Sequence, residues 1–132
     1  MKRFERPHRI RFAECDPAGI VFYPQYFVMF NGLVEDWIDA LGIGFRRLLL
    51  ERRIGLPTAH LSCDFSAVSR MGDDVRLQLE VAALGNTSLT LALACRAVDG
   101  ELRMKARHVL VTTSLETHKP IPIPADFRAA LG

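Results

Sequence analysis

Apolar and polar residues alternate near the start of the chain, with His8, Ile10 and Phe12 on one side and Arg9 and Arg11 on the other. Period-two alternation predicts a strand. Glu14-Cys15-Asp16-Pro17-Ala18-Gly19 interrupts it. That stretch predicts a turn, because Asp before Pro favours extended or turn backbone and Gly19 frees the chain soon after. From Pro24 to Leu41 the period becomes three and four: Phe27, Phe30, Val34, Trp37 or Ile38, and Leu41 recur, while Glu35, Asp36 and Asp39 gather opposite. This predicts a helix of about 27 Å, opened by Pro24 and stopped by Gly42. Val28, Met29 and Leu33 widen its apolar stripe, as suits a helix wrapped by a sheet. Phe45 to Arg53 predicts a second, short amphipathic helix, closed by Gly55 and Pro57.

Period two then returns. Ala59, Leu61, Cys63 and Phe65 oppose Thr58, His60, Ser62 and Asp64; Val75, Leu77, Leu79 and Val81 oppose Arg76, Gln78 and Glu80; Leu89, Leu91, Leu93 and Cys95 oppose Ser88, Thr90 and Arg96. Gly85-Asn86 and Asp99-Gly100 supply hairpin turns. The last strand places Leu102, Met104 and Ala106 on one face, and the opposite parity of Val109 and Val111 predicts a bulge at Arg107-His108. The stretch from His118 to Pro124 is too rich in proline for regular structure. The order is strand, long helix, then four strands, an α+β domain with a five-stranded antiparallel sheet around a long central helix. One helix leaves part of such a sheet bare and two edges open, which predicts self-association, most simply as a twofold dimer that extends the sheet.

Composition narrows the class. The 132 residues are 49% hydrophobic and 24% charged, enough for residues 1–132 to form one domain whose core needs no metal or disulfide. A net charge of +2 gives no field that implies a nucleic-acid partner. The opening Met1-Lys2-Arg3-Phe4-Glu5-Arg6 is too charged for a signal peptide, and no apolar run approaches the ~20 residues of a membrane span. Cys15, Cys63 and Cys95 are odd in number, with no C-x-x-C spacing, as expected of reduced thiols in a cytoplasmic protein. The nucleophile-elbow, phosphate-loop, dinucleotide and H-E-x-x-H motifs are all missing. His8, His60, His108 and His118 lie far apart, so no metal site is expected.

The candidate chemistry lies between Asp16 and Phe27, D-P-A-G-I-V-F-Y-P-Q-Y-F. A carboxylate precedes a long helix whose first N–H groups have no partner inside the helix. Those donors and the helix dipole suit a polarised carbonyl oxygen. Pro24 has no N–H, so the candidate donors are the amides of Tyr23, Gln25 and Tyr26. Asp16 would attack an electrophile held there, or activate water against it.

Asp16-Pro17-Ala18-Gly19-Ile20-Val21-Phe22-Tyr23-Pro24 resembles the signature of hotdog-fold acyl-CoA thioesterases of the 4-hydroxybenzoyl-CoA thioesterase type. The similarity continues through Gln25-Tyr26-Phe27, Pro57 to Phe65, Gly72-Asp73-Asp74-Val75 and Lys119 to Pro124. The resemblance implies a hotdog fold and hydrolysis of an acyl-CoA thioester to free acid and coenzyme A. Asp16 would be nucleophile or general base, and the Tyr23 backbone N–H would polarise the carbonyl. It implies no cofactor, since coenzyme A belongs to the substrate, and a homodimer, further paired as a dimer of dimers, with active sites at the subunit interface. Gly19 and Asn31 would lie beside the acyl group. Where the hydroxybenzoyl enzyme resembles an Asp reading the phenolic hydroxyl, this chain has neutral Asn31, which leaves an aromatic or short acyl group open. Ser69, Arg70 and Lys119 are the expected coenzyme A contacts, with Arg103, Lys105 and Arg107 as an auxiliary basic row. Thr58, His60 and Ser62 would line the acyl pocket of a partner subunit. Two alternatives share the scaffold: a hydratase, which would want a carboxylate–histidine pair that only His8 could complete, and a non-catalytic acyl-CoA binder or sensor.

Overall fold

The computed structural model describes residues 3–132. Strand β1 (Phe4–Arg9) leads into helix α1 (Pro24–Ala40), followed by β2 (Ile54–Gly55), β3 (Thr58–Phe65), β4 (Asp74–Leu84), β5 (Ser88–Ala97), β6 (Leu102–Val111), β7 (Thr113–Ser114) and helix α2 (Ala125–Leu131). Five strands form one antiparallel sheet in the order β1-β4-β5-β6-β3, and β2 pairs with β7 beside it. Both β1 and β3 are open edges.

The alternation on β4 and β5 explains the core. Val75, Leu77 and Leu79 meet Leu89, Leu91, Leu93 and Cys95 on the inner face, all buried. Against that face lie Tyr26, Met29, Phe30, Leu33, Val34, Trp37 and Ile38 of α1. Such wide apolar coverage accounts for a helix that hugs the sheet near β4 and β1.

Several expectations need correction. Phe12 does not continue β1. The Glu14 carboxylate accepts the Arg11 N–H at 2.8 Å and starts a 3-10 turn, Phe12–Glu14, which leaves Phe12 77% exposed. The helix expected over Phe45–Arg53 forms over residues 45–51, two residues short of its expected end, and its Arg47–Glu51 part is π-helical with Leu48 buried. The last strand has no bulge at Arg107-His108. Met104, Ala106, His108 and Leu110 hold one parity opposite the buried Cys95, Leu93, Leu91 and Leu89, and Val109 and Val111 lie on the outer face. The bulge sits earlier: Cys95 pairs with Met104 but Arg96 with Leu102, so Arg103 is the extra residue. A bulge re-aims the side chain at that point.

The tail is irregular through the prolines, then forms α2, which periodicity did not reveal. Pro124 precedes it and accepts the Arg128 N–H on its carbonyl at 2.9 Å, Asp126 lies in its first turn, and Phe127 and Leu131 are buried four residues apart. Phe127 meets Trp37 edge-on, ring centroids 6.3 Å apart, and so closes the C-terminal end of α1. No helix among the described residues is long and apolar enough to cross a membrane. The three cysteines form no disulfide.

Candidate active site

The loop before α1 is built by its own backbone. The Asp16 N–H donates to Ile20 O at 3.0 Å, the Gly19 N–H to Asp16 O at 2.9 Å, and the Phe22 N–H to Glu14 O at 2.9 Å. Gly19 has φ +79, a left-handed conformation that explains glycine there. A second strap crosses to the segment after β3: Val21 N–H donates to Ser69 O at 2.9 Å and Met71 N–H to Gly19 O at 3.0 Å. The loop is thus held from both sides, and it carries Asp16.

Asp16 is half-buried, and its Oδ1 accepts the Ala18 N–H at 2.8 Å. Among the described residues no cation pairs with it, and its second oxygen has no partner. At the helix tip, Gln25 N–H donates to Phe22 O at 2.8 Å and Tyr26 N–H to Tyr23 O at 3.2 Å. These bonds remove two of the three expected donors. Among the described residues the Tyr23 N–H keeps no partner. Burial first, and then the nearby charges of Glu14, Asp16 and Asp73, push the Cys15 thiol up from its ordinary range. The loop is therefore rich in negative charge.

Beside the helix tip lies a cleft of about 280 Å³, lined by Ile20, Val21, Tyr23, Tyr26, Phe65 and Ser69 among others. Its aromatic wall is interlocked, with Phe65 centred 6.4 Å from Tyr23 and 6.0 Å from Tyr26. Under it, the Tyr26 hydroxyl donates to Ser69 Oγ at 2.9 Å. The bulge turns Arg103 toward the same spot, where Nη1 donates to Asp73 Oδ2 at 2.8 Å and to Val68 O at 3.0 Å. The Arg70 N–H and the Arg103 guanidinium together hold the Asp73 carboxyl below its ordinary value. A larger cavity, about 740 Å³, opens at the far end of α1 among Phe4, Trp37, Leu41, Val81 and Leu131. The smaller cleft is the relevant one, because it adjoins the free donor at the helix start.

The remaining expected site residues scatter. Ser69 is buried, with its hydroxyl taken by Tyr26 and, at 3.4 Å, by Arg103, so it supports the cleft from beneath. Arg70 is exposed beside it, while Arg103 is committed to Asp73 and Glu101 rather than to a basic row; Lys105 and Arg107 are exposed. Lys119 follows the opposite end of β6, ten residues long, or about 30 Å of strand. One protomer therefore does not gather Ser69, Arg70 and Lys119 into one site. Thr58, His60 and Ser62 do not share a face. The register slips between Thr58 and His60, which puts Thr58 inside opposite Leu110 and leaves His60 and Ser62 outside opposite Val109 and Arg107. Gly19 lies in the loop, with its N–H spent on Asp16 O. Asn31 is exposed on α1 and donates to Glu35 Oε2 at 2.8 Å.

His108 had no assigned role, and His8, the one histidine considered for a carboxylate–histidine pair, pairs with Glu14 rather than Asp16. His108, on the inner face, bonds Thr58 Oγ1 through Nε2 at 2.7 Å, and burial pushes its imidazole below the ordinary value. Its parity with Met104 and Ala106 was the available signal. His8 on β1 places Nε2 at 3.0 and 2.9 Å from the two oxygens of Glu14. Among the described residues no three His, Cys, Asp or Glu side chains converge as metal ligands would.

A long helix laid against an antiparallel sheet, with a carboxylate on the loop before it and a free N–H at its tip, defines a hotdog-fold domain. The crystal structure of a 1,4-dihydroxy-2-naphthoyl-CoA thioesterase from Synechocystis matches this fold with a TM-score of 0.90, at 21% identity, over 98% of this chain and 96% of that one. Residues 10–131 match the thioesterase-like superfamily, and the chain belongs to that family. Among its relatives, the 1,4-dihydroxy-2-naphthoyl-CoA hydrolase of Synechocystis sp. is 25% identical, covering 99% of this chain and 96% of the relative. The 4-hydroxybenzoyl-CoA thioesterase of Pseudomonas sp. is 25% identical over 90% of each chain.

Proposed function

We propose that the protein hydrolyses an acyl-CoA thioester to a free acid and coenzyme A, in keeping with its superfamily. The observation that carries this reading is the unpartnered Tyr23 N–H at the start of α1, beside a cleft and one short loop from Asp16. The thioester carbonyl oxygen accepts that N–H, whose stabilisation grows as the oxygen becomes an oxyanion; one such donor contributes about 3 kcal/mol. Asp16 then either attacks the carbonyl carbon, expelling the coenzyme A thiolate and leaving a mixed anhydride for water to cleave, or takes a proton from the attacking water. An aromatic acyl group suits the walls of Tyr23, Tyr26 and Phe65. Asn31, neutral and already bonded to Glu35, argues against a 4-hydroxybenzoyl group read by a carboxylate at that position.

The assembly belongs to the same proposal. β3 is an edge strand whose inner-face Leu61 and Phe65 are 38% and 52% exposed, so twofold antiparallel pairing of two β3 edges would cover them. Antiparallel pairing reverses the ends. It would bring Thr58, His108 and Lys119 of the partner subunit toward the Tyr23 cleft and Arg70, completing a site that one protomer leaves open.

The test is a panel of aromatic and short-chain acyl-CoAs with a thiol-trapping reagent, run on the wild type and Asp16→Asn. The expected result is thiol release by the wild type and a loss of 10²-fold or more, an order-of-magnitude figure, in the variant. No release from any substrate, or tight binding without turnover, defeats the reading. Sedimentation of Ser62→Pro, which blocks β3 as a pairing edge, tests the dimer: the expected outcome is a shift toward monomer.

A further inference from the structure

We infer that Glu14 and His8 form a clamp that positions the Asp16 loop and the Tyr23 donor for catalysis. The inference rests on the thioesterase reading above and extends it to two residues outside the reacting groups.

Glu14 stands two residues before Asp16, and both its ends are engaged. Its main-chain carbonyl accepts the Phe22 N–H at 2.9 Å, one residue before the Tyr23 donor. Its carboxylate takes the Arg11 N–H at 2.8 Å on Oε1 and meets His8 Nε2 with both oxygens, at 3.0 and 2.9 Å. The Glu14 side chain is only 15% exposed and that of His8 23%, so water competes little for these bonds. His8 is itself fixed in register opposite Val75, a fully packed residue of β4.

The consequence is a continuous mechanical path. The sheet fixes His8, His8 fixes the Glu14 side chain, and Glu14 fixes both ends of the segment from Asp16 to Phe22. The loop's own backbone bonds preserve its internal shape, but they do not set its place on the sheet. The strap to Ser69 and Met71 holds one side, and the clamp holds the other. A displacement of about 1 Å between a reacting group and its target costs on the order of 10²-fold in rate. Glu14 and His8 touch no reacting atom; they are positioning residues.

This reading makes a demand that packing alone would not. Losing the clamp should lower kcat and leave KM nearly unchanged, because placement of Asp16 and the Tyr23 donor matters most in the transition state. The pair should also behave as one unit. The experiment measures kcat, KM and melting temperature for Glu14→Ala, His8→Ala, the double variant and His8→Gln, using the best acyl-CoA of the panel. Each alanine variant is expected to lose about tenfold or more in kcat. The double variant should lose no more than the worse single one, and His8→Gln, which keeps an N–H donor toward Glu14, should recover most of the rate. His8→Ala and His8→Gln change an edge-strand residue, so they remain informative if Glu14→Ala folds poorly. The inference is overturned if His8→Ala keeps kcat within twofold, if His8→Gln loses as much as His8→Ala, if the losses multiply in the double variant, or if KM alone changes. A wild type inert toward every acyl-CoA defeats the proposed function instead, so the two failures are distinguishable.

Discussion

The Tyr26 hydroxyl donates to Ser69 Oγ at 2.9 Å, and this one bond joins the first turn of α1 to the segment after β3 beneath the cleft. Both groups are almost fully buried, Tyr26 at 4% and Ser69 at 1% exposure. Ser69→Ala leaves the phenol without a partner where water has little access, which costs about 1–3 kcal/mol. Thermal unfolding should register a fall of roughly 4 °C per kcal/mol. Tyr26→Phe removes the other partner and should cost less, because Arg103 still reaches the Ser69 hydroxyl. Equal melting temperatures for Ser69→Ala and wild type would contradict this account.

The Asp73–Arg103 pair predicts a specific acid response. Asp73 has its carboxyl lowered by the Arg70 N–H and then by Arg103, so it binds its proton less readily folded than unfolded. Its contribution to stability is therefore present above the unfolded value of 3.8 and is lost as pH falls through the lower folded value. Asp126, lowered by Arg52, acts in the same window with less weight because it is 57% exposed. Urea midpoints of wild type and Asp73→Asn should differ clearly at pH 7 and converge toward pH 3. A constant gap across that range would show that Asp73 acts through packing rather than charge.

Thiol reactivity follows from burial. Cys95 is inaccessible and its thiol is pushed up to about 11, chiefly by desolvation, while Cys15 is raised by burial and by the surrounding carboxylates. A thiolate is the reactive form, so both should resist a disulfide reagent at neutral pH. Titration of the native protein should find Cys63 reacting ahead of the other two, and all three reacting in denaturant. Rapid modification of Cys95 in the native state would contradict the packing beneath the cleft.

What the sequence reveals about this molecule follows from how each signal arises. β4 and β5 were legible because the inner face is buried and apolar while the outer face carries polar residues, with Gln78 and Thr90 buried there, so hydrophobicity and orientation largely coincide. On β6 they diverge: Val109 and Val111 are apolar yet outside, while His108, and Thr112 just past the strand, are polar yet inward, and parity read from hydrophobicity then misplaces the bulge. The slip at Ala59 has no composition of its own, so Thr58 could not be separated from His60 and Ser62. Helix α2, seven residues long, is too short for a period to show. At the site, Pro24 marked the helix start. Which amide stays free was decided by the tight bonds of Gln25 to Phe22 and Tyr26 to Tyr23, and no residue type encodes that choice.

Tyr23 allows the donor to be removed without disturbing the chain. Its φ of −51 and ψ of −37 lie within reach of proline, which holds φ near −65°. Tyr23→Pro deletes the N–H that has no partner among the described residues while holding φ at position 23 near its present value. Tyr23→Ala keeps the N–H but loses the ring that packs on Phe65, and Tyr23→Phe loses only the hydroxyl. The expected order of kcat is Tyr23→Phe close to wild type, Tyr23→Ala lower through the loosened aromatic wall, and Tyr23→Pro lowest. The gap between Ala and Pro isolates the donor and should be about 10²- to 10³-fold. Circular dichroism on all three variants separates this effect from a frayed helix start. If Tyr23→Pro turns over as fast as Tyr23→Ala with helix content intact, the carbonyl is polarised by another group and the N–H at the tip of α1 is not the oxyanion donor.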